Sequence, residues 1–182
     1  GEDQAIGGAS FNTAAGAAGV AWPSAIHLLV AQEKGKYHAV GELTGLSAAS
    51  GTPPAGSYAV HRYITNTLRT HGRYVAFVVV GKPYIFCDEV EVYAGGPAWL
   101  GEPLAGEPVT SIQDYVEGLH VHNGVLRRLR RDIEALREQA AEADITDGAR
   151  APIAAELDAA EAELPGLQNQ YAEDFRAVLP LN

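Results

Sequence analysis

The stretch Gly72–Gly96, GRYVAFVVVGKPYIFCDEVEVYAGG, decides the fold. It holds two apolar β-type runs, Tyr74–Val80 and Tyr84–Tyr93, separated by the turn Gly81-Lys82-Pro83. In the second run Phe86, Val90 and Val92 share one parity, and Glu89, Glu91 and Tyr93 share the other. Side chains alternate along a strand with a period of two, so the valine face is expected inside and the glutamate face in water. Tyr74–Val80 has no charged residue and reads as a strand covered on both faces. The pair predicts an antiparallel β-sandwich whose inner side these two runs seal.

Working outward, residues 5–24 are dense in Gly and Ala, with Phe11, Val20 and Trp22 among the few large apolar residues. They predict a tightly packed strand-and-turn segment of partly irregular course, since Gly weakens a helix. Ile26–Ala31 reads as a strand, Glu33-Lys34-Gly35-Lys36 as a hairpin turn and Tyr37–Leu43 as the returning strand. Leu46–Tyr58 is rich in Pro, Gly and Ser, and Pro53-Pro54 places it at a rim outside any ladder. Tyr58–Leu68 resumes as a polar strand, with Val60, Arg62 and Ile64 alternating against His61, Tyr63 and Thr65.

After Gly96 the character changes. Residues 97–110 carry Pro97, Pro103 and Pro108 and read as a Pro/Gly-rich linker between a β-domain at 1–96 and a helical part at 111–182. Leu119, Leu126, Leu129, Ile133, Leu136, Ala140 and Ala143 form a heptad-like stripe, with Gly118 and Gly124 placing the firm helix start near Asn123. Asp144–Gly148 breaks the helix, Pro152 suits the first turn of a second one, and Pro165-Gly166 should kink or end it. The two helices predict an antiparallel hairpin. Arg127, Arg128, Arg130, Arg131 and Arg137 on one arm are expected to pair with Glu156, Asp158, Glu161 and Glu163 on the other.

The chain has 182 residues and a formal net charge of −10, which speaks against nucleic acid and anionic membranes as partners. No apolar run is long enough to predict a membrane span. Cys87 stands alone, so no internal disulfide forms, and it reads as a small strand residue. GxSxG, HExxH, P-loop, CxxC and dinucleotide-binding patterns are all missing from the sequence, so the chain is expected to be non-catalytic. Glu89 and Glu91, two apart on one strand face, lack the asymmetry that separates an acid from a base. His120 and His122 resemble half of a zinc site but have no third ligand nearby, so they read as solvent-facing.

Gly72-Arg73-Tyr74-Val75 and Asp88-Glu89-Val90-Glu91-Val92-Tyr93 resemble the closing strands of the galactose-binding-like β-sandwich superfamily. That superfamily includes discoidin (coagulation factor 5/8 type C) domains and family 32 carbohydrate-binding modules. Residues 26–37 resemble a hairpin of the same modules, and the resemblance covers roughly residues 6–96. It implies a jelly-roll sandwich that binds carbohydrate without catalysis, within a secreted or periplasmic multidomain bacterial protein acting on glycans. It also implies that Glu89, opening the last strand, helps hold a structural calcium ion; the Asp/Gly-rich loop supplying other ligands has no counterpart in residues 1–22.

Sugar recognition needs an aromatic plate and planar hydrogen-bonding groups. Bordering the loops, Tyr63 is the candidate for stacking and His61 and Arg69 for bonding hydroxyls. Trp22 and Trp99 read as core or interdomain anchors. The alternative is a spacer without a sugar ligand, which positions a neighbouring domain or forms a homodimer through the helical hairpin.

Overall fold

The computed structural model describes residues 1–81 and 83–178, with side chains as far as residue 164. Contacts divide the chain into two units, Gly1–Ile112 and Gln113–Asn182. The first contains two antiparallel sheets. Its strands are β1 (Gln4–Ala15), β2 (Ala25–Ala31), β3 (His38–Glu42), β4 (Ala59–Thr65), β5 (Thr70–Gly72), β6 (Tyr74–Val80), β7 (Glu89–Ala94) and β8 (Glu107–Pro108). A short helix α1, Leu43–Leu46, follows β3.

The Gly/Ala-rich segment expected to be partly irregular is the longest strand, and it forms the middle of its sheet. Ile6 pairs with Thr70 and with Ala94 at once, so β5 and β7 flank β1 on opposite edges. Further along, Phe11 lies between Tyr63 of β4 and Val90 of β7. A strand bonded along both edges has little room, and its composition answers to that. A Cβ added to Gly8 would stand 2.2 Å from the Thr65 carbonyl oxygen and 3.0 Å from the Asn66 Cα. Both are backbone atoms, which cannot swing aside as a side chain can.

The second sheet has the order β6-β2-β3-β8. The β2–β3 hairpin is the expected one, and its turn is closed by the Lys36 amide donating to the Glu33 carbonyl at 3.0 Å. Ile26, Leu28 and Val30 of β2 meet Ile6, Ala9 and Phe11 of β1 and Tyr63 of β4 in a shared apolar cluster. The arrangement is sandwich-like. Phe11 and Phe77 of β6 touch across the layers with ring centroids 6.3 Å apart. Each fully buried Leu or Ile here contributes roughly 1.5–3 kcal/mol.

The seal is made chiefly by β1 and β2, with Val75, Phe77 and Val79 of β6 packed against it, and the expectation is corrected for β7. Val90 and Val92 do take the side of Phe11 and Ala9, their cross-strand partners, yet they remain 46% and 43% exposed. Phe86, expected inside with them, is 47% exposed. Among the described strands β7 is bonded to β1 alone, so its inward side chains overhang the margin of the core. β6 is likewise an edge strand, and every one of its residues is half-buried rather than covered on both faces. In β4 the inward set is His61, Tyr63 and Thr65, while Val60 is exposed. Cys87 falls in the exposed segment before β7, outside any strand.

Glu42 shows how polar groups are settled inside this unit. Its carboxylate accepts from the Thr44 and Gly45 amides at the start of α1 and from the Ile26 amide of β2, at 2.8, 2.9 and 2.8 Å. Burial pushes its pKa up, but the three N–H donors outweigh that and hold it below the usual 4.5. The segment 97–110, expected as a linker, is threaded into the same unit. Pro97–Gly101 forms a 3-10 turn, and β8 pairs with β3 through His38–Pro108 and Ala39–Glu107.

The second unit is a helical hairpin of α2 (Ile112–Glu142) and α3 (Asp147–Val178). Leu126 and Ile133 pack on Leu164, with Leu129 and Leu157 beside them. The helix begins at Ile112, well before the expected start near Asn123, and passes through Gly118 and Gly124. Each such glycine costs about 1 kcal/mol relative to alanine, too little to break a helix of this length. α3 begins at Asp147, which puts Pro152 just beyond the first turn, and it continues past Pro165 and Gly166. Of the expected cross-hairpin pairs, Arg137 reaches Asp158 at 2.5 Å and Glu161 at 2.7 Å. Arg127 and Arg128 bond along their own helix, to the Asn123 carbonyl and to Asp132. No described helix is long and apolar enough to cross a membrane.

Gly8→Ala should lower stability by about 1–3 kcal/mol, because the added methyl meets backbone on the neighbouring strand. Denaturant unfolding followed by tryptophan fluorescence checks this; an unchanged midpoint would show that β1 has slack.

Candidate functional site

The ends of four strands meet at one end of the sheets. Ala15 pairs with Ala59, and Ala25 pairs with Val80. Three connections therefore gather there, described over residues 16–24, 51–58, and 81 with 83–88. Gly16 adopts φ +90°, and a Cβ on it would lie 2.7 Å from the Ser57 carbonyl. This close approach sets the first loop against the second. The Ala21 amide donates to the Tyr84 carbonyl at 3.0 Å, joining the first loop to the third, and the Ser24 amide donates to the Val80 carbonyl at the end of β6 at 2.8 Å. Thr13 Oγ1 donates to the Phe86 carbonyl at 2.7 Å, and the Asp88 amide to Asn12 at 3.0 Å, anchoring the third loop on β1.

Aromatic rings line this end. Trp22 and His61 meet edge to face with centroids 6.0 Å apart, and His61 and Tyr63 do the same at 4.7 Å. Trp22 Nε1 donates to the Pro54 carbonyl at 3.3 Å, which fixes the ring over the site. Tyr58 and Tyr84 stand out from the loops at 65% and 67% exposure. No charged residue occurs in 16–24 or 51–58, so these loops present apolar and neutral polar groups. His61 Nε2 is buried and has no hydrogen-bond partner among the described residues. Burial pushes the His61 pKa down, which keeps the imidazole neutral.

The structure thus brings His61 and Tyr63 together and joins Trp22 to them. Tyr63 is only 3% exposed and packs in the core, where burial raises the pKa of its hydroxyl. Arg69 lies elsewhere, on the connection between β4 and β5. Its guanidinium grips Glu102, with Nε 3.0 Å from Oε2, and lies over the Trp99 ring at 5.8 Å. Trp99 in turn covers Gly95, where a Cβ would come within 2.3 Å of the indole.

Glu89 opens β7 opposite Asn12, whose amide nitrogen is 3.4 Å from Glu89 Oε2. The Asn12 side-chain oxygen, Oδ1, is buried and without a partner among the described residues. Those residues contain no group of three or more His, Cys, Asp or Glu side chains placed to share a metal ion. On α2, residues two apart do not face each other, so His120 and His122 make no chelate. His122 is not solvent-facing as expected, for both of its ring nitrogens are buried.

Sequence reasoning missed a polar cluster on the outer face of the first sheet. Ser10, wholly buried, donates to Glu91 Oε2 at 3.0 Å, and the Tyr93 hydroxyl is 2.8 Å from each of them. The Arg62 guanidinium closes over all three. Hydrogen bonds from Tyr93 and Ser10 hold the Glu91 carboxyl below the usual range. Parity placed Glu91 and Tyr93 on this face, but only the β1 register supplies Ser10 beneath them. The cluster ties β4, β1 and β7 together across the sheet.

No protein-family model, curated protein or solved structure matches the chain.

Trp22→Ala should open His61 to water and raise its titration midpoint toward 6.5, the ordinary histidine value. NMR titration of the His61 ring protons checks this; a midpoint that stays low would show that other groups bury the imidazole.

Proposed function

We propose that the first unit is a non-catalytic carbohydrate-binding module with a galactose-binding-like jelly-roll sandwich. It belongs, on this reading, to a larger secreted or periplasmic bacterial protein that acts on glycans. The supporting observation is the convergence of three loops that expose Tyr58 and Tyr84 beside the Trp22–His61–Tyr63 stack. A pyranose presents an apolar C–H face, which an exposed tyrosine ring suits, and Tyr58 adjoins a loop without charged residues. Stacking passes from Tyr63, which is interior, to Tyr58 and Tyr84, and His61 forms the floor. Arg69 stands apart from this end of the sheets, engaged with Glu102. A structural calcium ion at Glu89 belongs to the same proposal. The neighbouring Asn12 side-chain oxygen, Oδ1, buried and without a partner among the described residues, is the kind of oxygen donor such an ion takes.

The second reading is a spacer or oligomerisation module, without nucleic acid or sugar as ligand. Val121, Leu136 and Ile153 on the hairpin are 48%, 50% and 40% exposed, which favours coverage by a neighbouring domain or a second copy.

Calorimetric titration with galactosides and plant polysaccharides tests the first reading. Binding should weaken about tenfold in Tyr84→Ala, a loss of about 1.4 kcal/mol, while the unfolding midpoint stays put. An absence of heat at millimolar sugar, with the protein folded, would leave the spacer. Sedimentation across a concentration series then tests that reading, which requires self-association or a bound neighbour.

A further inference from the structure

The end of the first sheet remote from the aromatic loops holds a buried imidazole with no place in the reading above. His71 of β5 pairs with Ala5 of β1 and is 2% exposed. Its Nε2 lies 2.9 Å from the Glu102 carbonyl oxygen, and its Nδ1 lies 2.9 Å from Asp3 Oδ2. A carbonyl and a carboxylate can only accept, so both ring nitrogens must carry hydrogen. The geometry is that of an imidazolium. Three chain segments meet on it: the residue before β1, the turn ending at Glu102, and Gln32, just after β2. Gln32 Nε2 donates to the same Asp3 oxygen at 2.9 Å and stands 3.4 Å from His71 Nδ1.

The charged groups around the ring agree. Arg73, between β5 and β6, acts on Asp3, and Arg69 neutralises the Glu102 side chain. Burial pushes the His71 pKa down, but the bonds to Asp3 and Glu102 and the Asp3 charge carry it above 6.5. Burial pushes Asp3 up, but the bonds from Gln32 and His71 and the nearby positive charges carry it below 3.8. When the ring loses its proton, Nδ1 turns a lone pair on a carboxylate, and the Gln32 amide is the donor at hand for it. Asp3 then has only Gln32, and the Nε2–H bond to Glu102 alone remains from the ring.

We propose that His71 is a proton-operated clasp that holds the start of β1 and the 97–102 turn when protonated and releases Asp3 when neutral. Because the folded pKa of His71 is raised, its stabilisation is complete below 6.5 and is lost as pH climbs through the folded value. Because that of Asp3 is depressed, its stabilisation is complete above 3.8 and is lost as pH falls through the folded value. The clasp is fully shut between those two values.

The test is NMR titration of the His71 ring from about pH 5 to about pH 9, with amide exchange followed at Gln4–Ile6, the segment that Asp3 leads into. The ring midpoint should lie above 6.5. Protection at those amides, corrected for intrinsic base catalysis, should fall through the same midpoint, in total about tenfold per unit of elevation. Amides of Phe11 and Leu28 should hold steady. Asp3→Asn should return the midpoint downward and flatten the pH dependence, and His71→Gln should keep the amides weakly protected at every pH. If His71→Gln fails to fold, Asp3→Asn decides alone. A wild-type midpoint at or below 6.5, or protection at Gln4–Ile6 that ignores the titration, overturns the clasp.

Discussion

Space around β1 is the constraint on which the first unit depends. A strand bonded along both edges, with the second sheet packed on its inner face, can carry bulk at few positions. Phe11 takes the inner side, where it reaches Phe77, and the rest of the strand keeps to small residues apart from Gln4, Ile6 and Asn12. Gly8 lets the Thr65 carbonyl approach, and Ser10 lets Arg62, Glu91 and Tyr93 close over it. The neighbours' positions follow from what β1 does not contain. Packing at this density is unforgiving, since interiors fill space like crystals rather than liquids.

Polar groups inside the unit are settled by backbone donors or by charge partners. Glu42 draws its amides from two elements, and His71 draws its acceptors from two segments far apart in sequence. Buried charges of this kind do more to fix one arrangement than to raise total stability, because desolvation offsets much of what the pairing contributes. The Nε2 of His61 is one of a few buried atoms of this unit without a partner among the described residues, together with Asp3 Oδ1, Asn12 Oδ1 and Thr70 Oγ1. It lies at the same end of the sheets as the exposed Tyr58 and Tyr84.

Legibility in the sequence followed the size of the side chains. The β2–β3 hairpin was readable because Gly35 interrupts two apolar runs, and the helical pair because leucines recur at helical steps. β1 was only half readable. Alanine and glycine carry no hydrophobic period, so nothing in residues 5–15 announces a central strand. For β7 the parity was right and the burial wrong, since alternation states which way Val90 and Val92 point but not whether a second layer extends over them. Of the candidate site, His61 and its neighbour Tyr63 were found from residue type and position. Trp22's part in the same stack was not found, because its approach depends on how the 16–24 loop folds back onto the 51–58 loop.

The bare edge of β7 has a consequence for how copies of the chain meet. Two such strands set side by side antiparallel about Val90 would place Glu89 of each copy against Glu91 of the other. Like charges directly opposed across a ladder repel, and edge strands protected in this way resist growing into extended sheets. In that register the glutamates would oppose pairing of the two edges, and the Arg62 guanidinium on each Glu91 would temper the repulsion.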